Sequence, residues 1–311
     1  MPRLHKDIPA TTMRFISSDS IHIGDGSVLK QAVLAIDGEN VIREIIPSAG
    51  RLDIPEEKVE LFEGILCPGF VNAHCHLELS HMKDKIPTGI GLHNFIGKVA
   101  EFRDVDCKTE LQAMRIADAE MYKGGISLVG DISNTTVSSK TKRDSSIEYH
   151  TFVEVFGLSA SKAELVLKRA KAIQSEFKRY GNTASVSAHA PYSLSDDLRK
   201  MIGGINEESM LPTTMHNQET ESEDELFLTG TGKLADSFSE MGLNMSDVSV
   251  TGESSIRSVL RDIKGAGPFI LVHNSFTRRE DIEWAISEFE DIYWCCCPRA
   301  NLYIEQQTPN V

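Results

Sequence analysis

No stretch of this 311-residue chain approaches the ~18 consecutive apolar residues of a membrane-spanning helix, so no membrane partner is expected. Basic residues are in short supply: 32 Lys and Arg stand against 46 Asp and Glu, a formal net charge of -14. They are also scattered, which leaves no footprint for nucleic acid or anionic lipid and points to a small-molecule partner. The N-terminal Met-Pro-Arg-Leu-His-Lys-Asp lacks the apolar core of a signal peptide, so a cytoplasmic location is the expectation. Cysteine is scarce as well. The six show neither the spacing of a disulfide framework nor a paired CxxC zinc pattern. Three are adjacent at Cys295, Cys296 and Cys297, within the apolar run Ile-Tyr-Trp-Cys-Cys-Cys, and read as small buried strand residues, with a redox or metal role as the alternative. No internal repeat stands out.

What is present is the composition of an ordinary globular protein, 41% hydrophobic and 25% charged, long enough to bury a large core. Residues 12–66 read as short strands, such as 13–16, 33–36 and 41–45, separated by Asp-Gly and Gly-Asp-Gly turn signals, and predict a small β module. After Pro68 the pattern becomes apolar runs alternating with amphipathic helical stretches, the rhythm of βα units. The runs are 66–73, 126–131, 149–156, 184–188, 212–215, 269–272 and 292–297, and helices are predicted over 111–122, 161–180, 254–263 and 278–289. The fold class is therefore α/β, a (β/α)8-type barrel over 67–311 with a flanking module over 1–66. Seven of the eight strands of such a barrel are visible. Residues 221–253, rich in Ser, Thr, Gly and acidic side chains, are long for a βα connection and are expected to cover the site as a lid.

The first run ends in Gly69-Phe70-Val71-Asn72-Ala73-His74-Cys75-His76. Histidines two apart on a strand share a face, and at a barrel's C-terminal rim paired neutral imidazoles suit a divalent metal. His189, His216 and His273 each follow a later apolar run and so take the same rim position. Taken singly, each is better explained by a satisfied, partly buried histidine; four strands ending alike are not. Met215-His216-Asn217-Gln218-Glu219 adds a carboxylate within reach of a substrate over the metal, which makes Glu219 the candidate proton shuttle. The competing reading of Glu219 is an acidic residue opening the next helix, with Glu221, Glu223 and Asp224.

Together with His189-Ala190-Pro191-Tyr192-Ser193, His273-Asn274-Ser275 and Cys297-Pro298-Arg299-Ala300-Asn301-Leu302, these motifs resemble the amidohydrolase superfamily. The branch is that of cytosine, guanine and adenosine-type deaminases and triazine chlorohydrolases; His-Cys-His-Leu-Glu-Leu-Ser looks most like aminofutalosine deaminases. The resemblance implies a flanking β-sandwich and one divalent ion, zinc before iron, held by His74, His76 and His216. It implies that His273 positions the hydroxide, that Glu219 moves protons, and that His189 contacts a small heterocyclic substrate. Glu78, Arg299 and Asn301 are placed to join the substrate contacts. By analogy with such enzymes a homo-oligomer stays open. The expected reaction is hydrolytic deamination of a purine, pyrimidine or nucleoside-like compound; dechlorination or cyclic-amide hydrolysis are variants, and a non-catalytic scaffold is the alternative. One departure stands out: the family's strand-eight aspartate, a metal ligand, has no counterpart in this sequence, which reads as a piece of a longer protein.

Overall fold

The computed structural model describes residues 13–48 and 53–310. The N-terminal heptapeptide read for a signal sequence lies outside the described residues. The chain divides into two compact units, Met1–Gly69 and Phe70–Val311.

The first unit is a single five-stranded mixed sheet. Strands β1 (Arg14–His22), β2 (Val28–Leu29), β3 (Val33–Ile36) and β4 (Ile42–Ile46) are ordered β2-β1-β3-β4, and β5 (Val59–Leu66) adds parallel to β1. The Asp-Gly signal between β3 and β4 is a turn held by Asp37, whose Oδ1 accepts from the amides of Glu39 and Val41, both at 2.9 Å, while Asn40 takes a left-handed φ of 61°. Ile21, Ala32, Val33 and Ala35 form its buried apolar side. A second, facing sheet is not found among the described residues. The run 66–73 is divided: Leu66 closes β5, and the next strand opens at Phe70, because Cys67-Pro68-Gly69 interrupts the ladder.

The second unit alternates strand and helix. In chain order it runs β6 (Phe70–Cys75), α1 (Leu92–Phe102), α2 (Cys107–Lys123), β7 (Ile126–Ser133), α3 (Ser139–Asp144), β8 (Glu148–Val155), α4 (Ala163–Arg179) and β9 (Thr183–Ala188). It continues with α5 (Asp196–Glu207), β10 (Thr213–Asn217), α6 (Glu221–Thr229), α7 (Lys233–Glu240), α8 (Ser255–Ile263), β11 (Phe269–His273), α9 (Arg279–Glu288), β12 (Ile292–Cys295) and α10 (Pro298–Glu305). All seven strands are parallel, paired in chain order as β6-β7-β8-β9 and β10-β11-β12. The two sets meet where the His216 amide donates to the His189 carbonyl at 2.9 Å. Among the described residues β6 and β12 each pair with one strand only. Helix α10 returns to the segment before α1, with the Leu92 amide on Glu305 Oε1 at 2.6 Å and the Gly91 amide on the Ile304 carbonyl at 3.0 Å.

The core lies between strands and helices: Val153, Val186, Met215, Phe269 and Leu271 from the strands meet Leu167, Phe177, Leu198, Ile202, Val259 and Leu260 from the helices. Helices α5 and α8 approach so closely that a Cβ on Gly203 would sit 1.8 Å from the Asp262 carbonyl oxygen. Within segment 221–253, α6 and α7 bury Leu226, Phe227, Leu234 and Phe238 in the same core, and 241–253 run as turns and irregular chain. The cysteine run also departs from expectation, since the strand stops at Cys295 and Cys296 is exposed, with Cys295 and Cys297 half-buried. No helix is long and apolar enough to cross a membrane among the described residues.

Candidate metal centre

Parallel strands present their C-terminal ends on one side, and four of them deliver histidines there. His74 sits near the end of β6 and His76 one residue beyond it; His189 follows β9, His216 is the penultimate residue of β10, and His273 closes β11. The rings converge: centroids of His74 and His216 are 4.9 Å apart, His76 and His216 5.3 Å, His189 and His216 5.0 Å, and His216 and His273 5.4 Å. Ring nitrogens of His74, His216 and His273 all lie within 4.8 Å of one another. His76 joins through His216, with Nε2 to Nε2 at 3.1 Å.

Hydrogen bonds behind the rings set their tautomers. His216 Nδ1 lies 2.7 Å from the His189 carbonyl oxygen, which can only accept, so Nδ1 carries the proton and Nε2 faces the cluster with a lone pair. His273 Nδ1 is 2.9 Å from Asn301 Oδ1, and the same amide donates through Nδ2 to the His273 carbonyl at 3.1 Å and to Ser275 Oγ at 2.8 Å. That fixes Oδ1 as an acceptor and frees His273 Nε2 to face inward. Such a fit matters because His273 has a left-handed φ of 74° and Asn274 one of 56°, conformations a non-glycine residue adopts only when its surroundings impose them.

Burial is the first cause that keeps these imidazoles neutral, and the charges of neighbouring rings add to it for most of them. His74 and His76 lie well below the ordinary histidine value, and His189, His216 and His273 fall to about 4. The inward lone pairs of His216 and His273 are donors a divalent ion can use, and neutral His74 and His76 are of the same donor type. Two further observations fit that group: His74 Nδ1 is buried without a hydrogen-bond partner among the described residues, and a 3.1 Å separation suits two nitrogens each about 2.0–2.1 Å from a shared zinc.

Glu219 follows β10, with Oε1 at 3.4 Å from His273 Nε2, and burial raises its carboxyl to about 7. A group with that value can give and take a proton near neutrality. His189 turns Nδ1 towards Ser193 Oγ at 2.8 Å. Glu78 is engaged elsewhere: Oε2 accepts from the Asn134 amide at 3.0 Å, and Oε1 from the Thr135 amide at 3.1 Å and its hydroxyl at 2.9 Å, so it anchors the loop after β7. Asn301 stands behind His273, and Arg299 is exposed at the start of α10.

Sequence reasoning missed several groups. Glu154, at the end of β8, is buried, with Oε1 at 3.6 Å from His216 Nδ1 and Oε2 held by Asn134 Nδ2 at 2.9 Å. Its signal was available as a glutamate set in the apolar stretch Phe152-Val153-Glu154-Val155-Phe156. Asp131 and Lys142 form a fully buried ion pair at 2.6 Å, and Asp131 also accepts from the Leu77 amide at 2.7 Å, just past His76. Here the sequence offers little, since a lysine in a short polar segment reads as solvated.

The chain is 25% identical over 272 residues to the adenosine deaminase of Helicobacter pylori, covering 82% of this chain and 62% of that protein. It thus spans about three fifths of the length of that curated relative. The crystal structure of Helicobacter pylori aminofutalosine deaminase in complex with methylthio-coformycin superposes with a TM-score of 0.81 at 23% identity, covering 95% of this chain and 72% of that one. An adenosine deaminase from Xanthomonas campestris with bound zinc gives 0.67 at 17%, covering 95% and 64%. The description "Amidohydrolase family" matches residues 65–311, most of the chain and every histidine of the cluster, and the chain belongs to that family.

Proposed function

We propose that this chain is the water-activating part of a metal-dependent hydrolase that deaminates an aminated heterocycle of the purine-nucleoside kind. The observation that carries the reading is the convergence of His74, His76, His216 and His273 as neutral imidazoles beside a buried glutamate whose carboxyl lies at about 7. The relative and the fold neighbour named for adenosine and aminofutalosine support the substrate class, and the zinc in another neighbour supports zinc over iron. A barrel architecture for residues 67–311, with residues 1–66 supplying one sheet of a flanking β-sandwich, and a cytoplasmic location complete the reading.

His74, His76 and His216 would hold the ion, with His273 beside it. A divalent ion in such a nest supplies Lewis acidity that brings the pKa of water towards ~7. The chain's own residues do the rest. Glu219 accepts a proton near neutrality, delivers it to the ring nitrogen beside the carbon under attack, and assists the departing ammonia. Asn301 keeps the His273 Nε2 lone pair aimed into the metal centre, and the His189 carbonyl orients His216. His189 is placed to meet the heterocycle.

The test is metal content together with ammonia release from aminopurines and aminopyrimidines, adenosine among them. About one ion per chain and measurable ammonia are expected. Glu219→Gln should retain the ion and lose turnover by about 10²–10⁴-fold; full activity in that variant would remove Glu219 from the mechanism.

A further inference from the structure

The side chain of Glu219 makes no hydrogen bond among the described residues, and its close polar contact is His273 at 3.4 Å. Its direction is therefore set by the backbone that carries it, and that backbone is unusual. Gln218 has a left-handed φ of 43°, a conformation costly for a non-glycine residue unless neighbours hold it. Glu223, fully buried at the third position of α6, reaches back to this turn. Its Oε1 accepts from the Gln218 amide at 2.9 Å, and its Oε2 lies 3.4 Å from the Glu219 amide. A second helix steadies the carboxylate, since Ser255 Oγ of α8 donates to the same Oε1 at 2.7 Å. The Gln218 side chain is pinned as well, with Nε2 3.1 Å from both oxygens of Asp224 and 3.2 Å from Asp281 Oδ2. The Phe276 amide closes the cage on the Gln218 carbonyl at 3.0 Å.

We infer that Glu223 is a positioning residue: through the Gln218 and Glu219 amides, with Ser255 behind it, it holds the strained turn that aims the Glu219 carboxylate at His273 and the metal centre. A glutamate at the third position that only capped α6 would reach back to the amide of the N-cap residue itself, Thr220. This one bonds the two residues before the N-cap Thr220, in the connection that bears the proton-transfer group. The inference rests on the deaminase reading for its catalytic consequence and on geometry alone for the positioning.

Glu223→Gln keeps the shape of the side chain but turns an NH₂ towards one of the two amides. Ser255→Ala leaves Glu223 in place and removes its support. Crystal structures of the zinc-loaded parent and both variants should show the Glu219 carboxylate displaced by about 1 Å or more, with zinc stoichiometry unchanged. With adenosine as substrate, kcat should fall about 10–100-fold in Glu223→Gln and several-fold in Ser255→Ala, while KM stays within about threefold. An unmoved Glu219 in the variants, or an unchanged kcat in Glu223→Gln where the parent turns over, overturns the inference. A parent without turnover on any aminated heterocycle sinks the deaminase reading instead, and the displacement of Glu219 still decides the positioning. If Glu223→Gln does not fold, Ser255→Ala decides it in the same way.

Discussion

Asn301 shows how much a single amide decides. It is buried, and it spends Oδ1 on His273 Nδ1 and Nδ2 on the His273 carbonyl and Ser275 Oγ, so that one residue sets both the tautomer and the strained backbone of His273. Removing it leaves a buried imidazole N–H and a strained carbonyl without partners, a loss of about 1–3 kcal/mol by the cost of orphaning buried polar groups. Asn301→Ala should therefore lower folding stability by that amount and, because outer groups orient the inner ones, lower turnover about 10–100-fold. Urea unfolding and ammonia release read the two effects separately. Unaltered turnover in Asn301→Ala would remove the aim of His273 from the mechanism. The histidines were legible because packing alone gives no reason for an imidazole to close one apolar run after another. Asn301 was legible only as a member of a motif, and its partner could not be read, since a contact across 28 residues depends on how α10 folds back.

Among the elements, most strands and the helices α2, α4, α8 and α9 could be read from periodicity, whereas α1 and α5 were not read although they too are amphipathic. Helix α6 could not. Its buried face includes Ser222, Glu223 and Asp224, which are satisfied by hydrogen bonds and leave no apolar stripe to detect. Strand β5 was hidden for another reason: it adds to β1 through its backbone, and Leu61, Phe62 and Ile65 stay exposed. Two element contacts yield predictions. Helix α3 is fastened to β7 and β8 by Lys142, whose ammonium reaches Asp131, Ser133 and Thr151 at 2.6–3.0 Å with neither partner of the ion pair exposed. Lys142→Met strands the Asp131 carboxylate and should cost about 3–5 kcal/mol, whereas adding Asp131→Asn should recover part of the loss because no buried charge remains. Denaturant midpoints of the single and double variants check this; a double variant less stable than Lys142→Met alone would refute it. Gly203→Ala places a methyl 1.8 Å from the Asp262 carbonyl, so α5 and α8 must separate, and thermal unfolding should show a loss of about 1–3 kcal/mol for an overpacked contact.

For the whole molecule, burial of so many titratable groups makes stability depend on pH in two opposed ways. His74, His76, His150, His189, His216 and His273 are held below the ordinary histidine value, chiefly by burial. Their contribution is complete above about 6.5, the unfolded value, and is lost as the pH falls below it. Glu78 and Glu219 at about 7, and Glu223 at about 8, are raised by burial, as Glu154 is in direction. A raised carboxyl acts with the opposite sign: the folded state loses stability as the pH climbs from the unfolded value near 4.5 to the folded one. Above neutrality the histidines are neutral in both states and the carboxyls decide, so acidification from pH 8 to 7 should stabilise the metal-free chain. Below pH 6 the carboxyls are protonated in the fold and the six histidines decide, with a net uptake of protons on unfolding. Stability of the metal-free chain should therefore pass through a maximum between about pH 6.5 and 7. Urea midpoints at pH 8.0, 6.8 and 5.5 would reveal that maximum. A stability that kept rising down to pH 5.5 would mean that the histidines are protonated in the folded chain, and an imidazole that already carries its proton has no lone pair to give a metal.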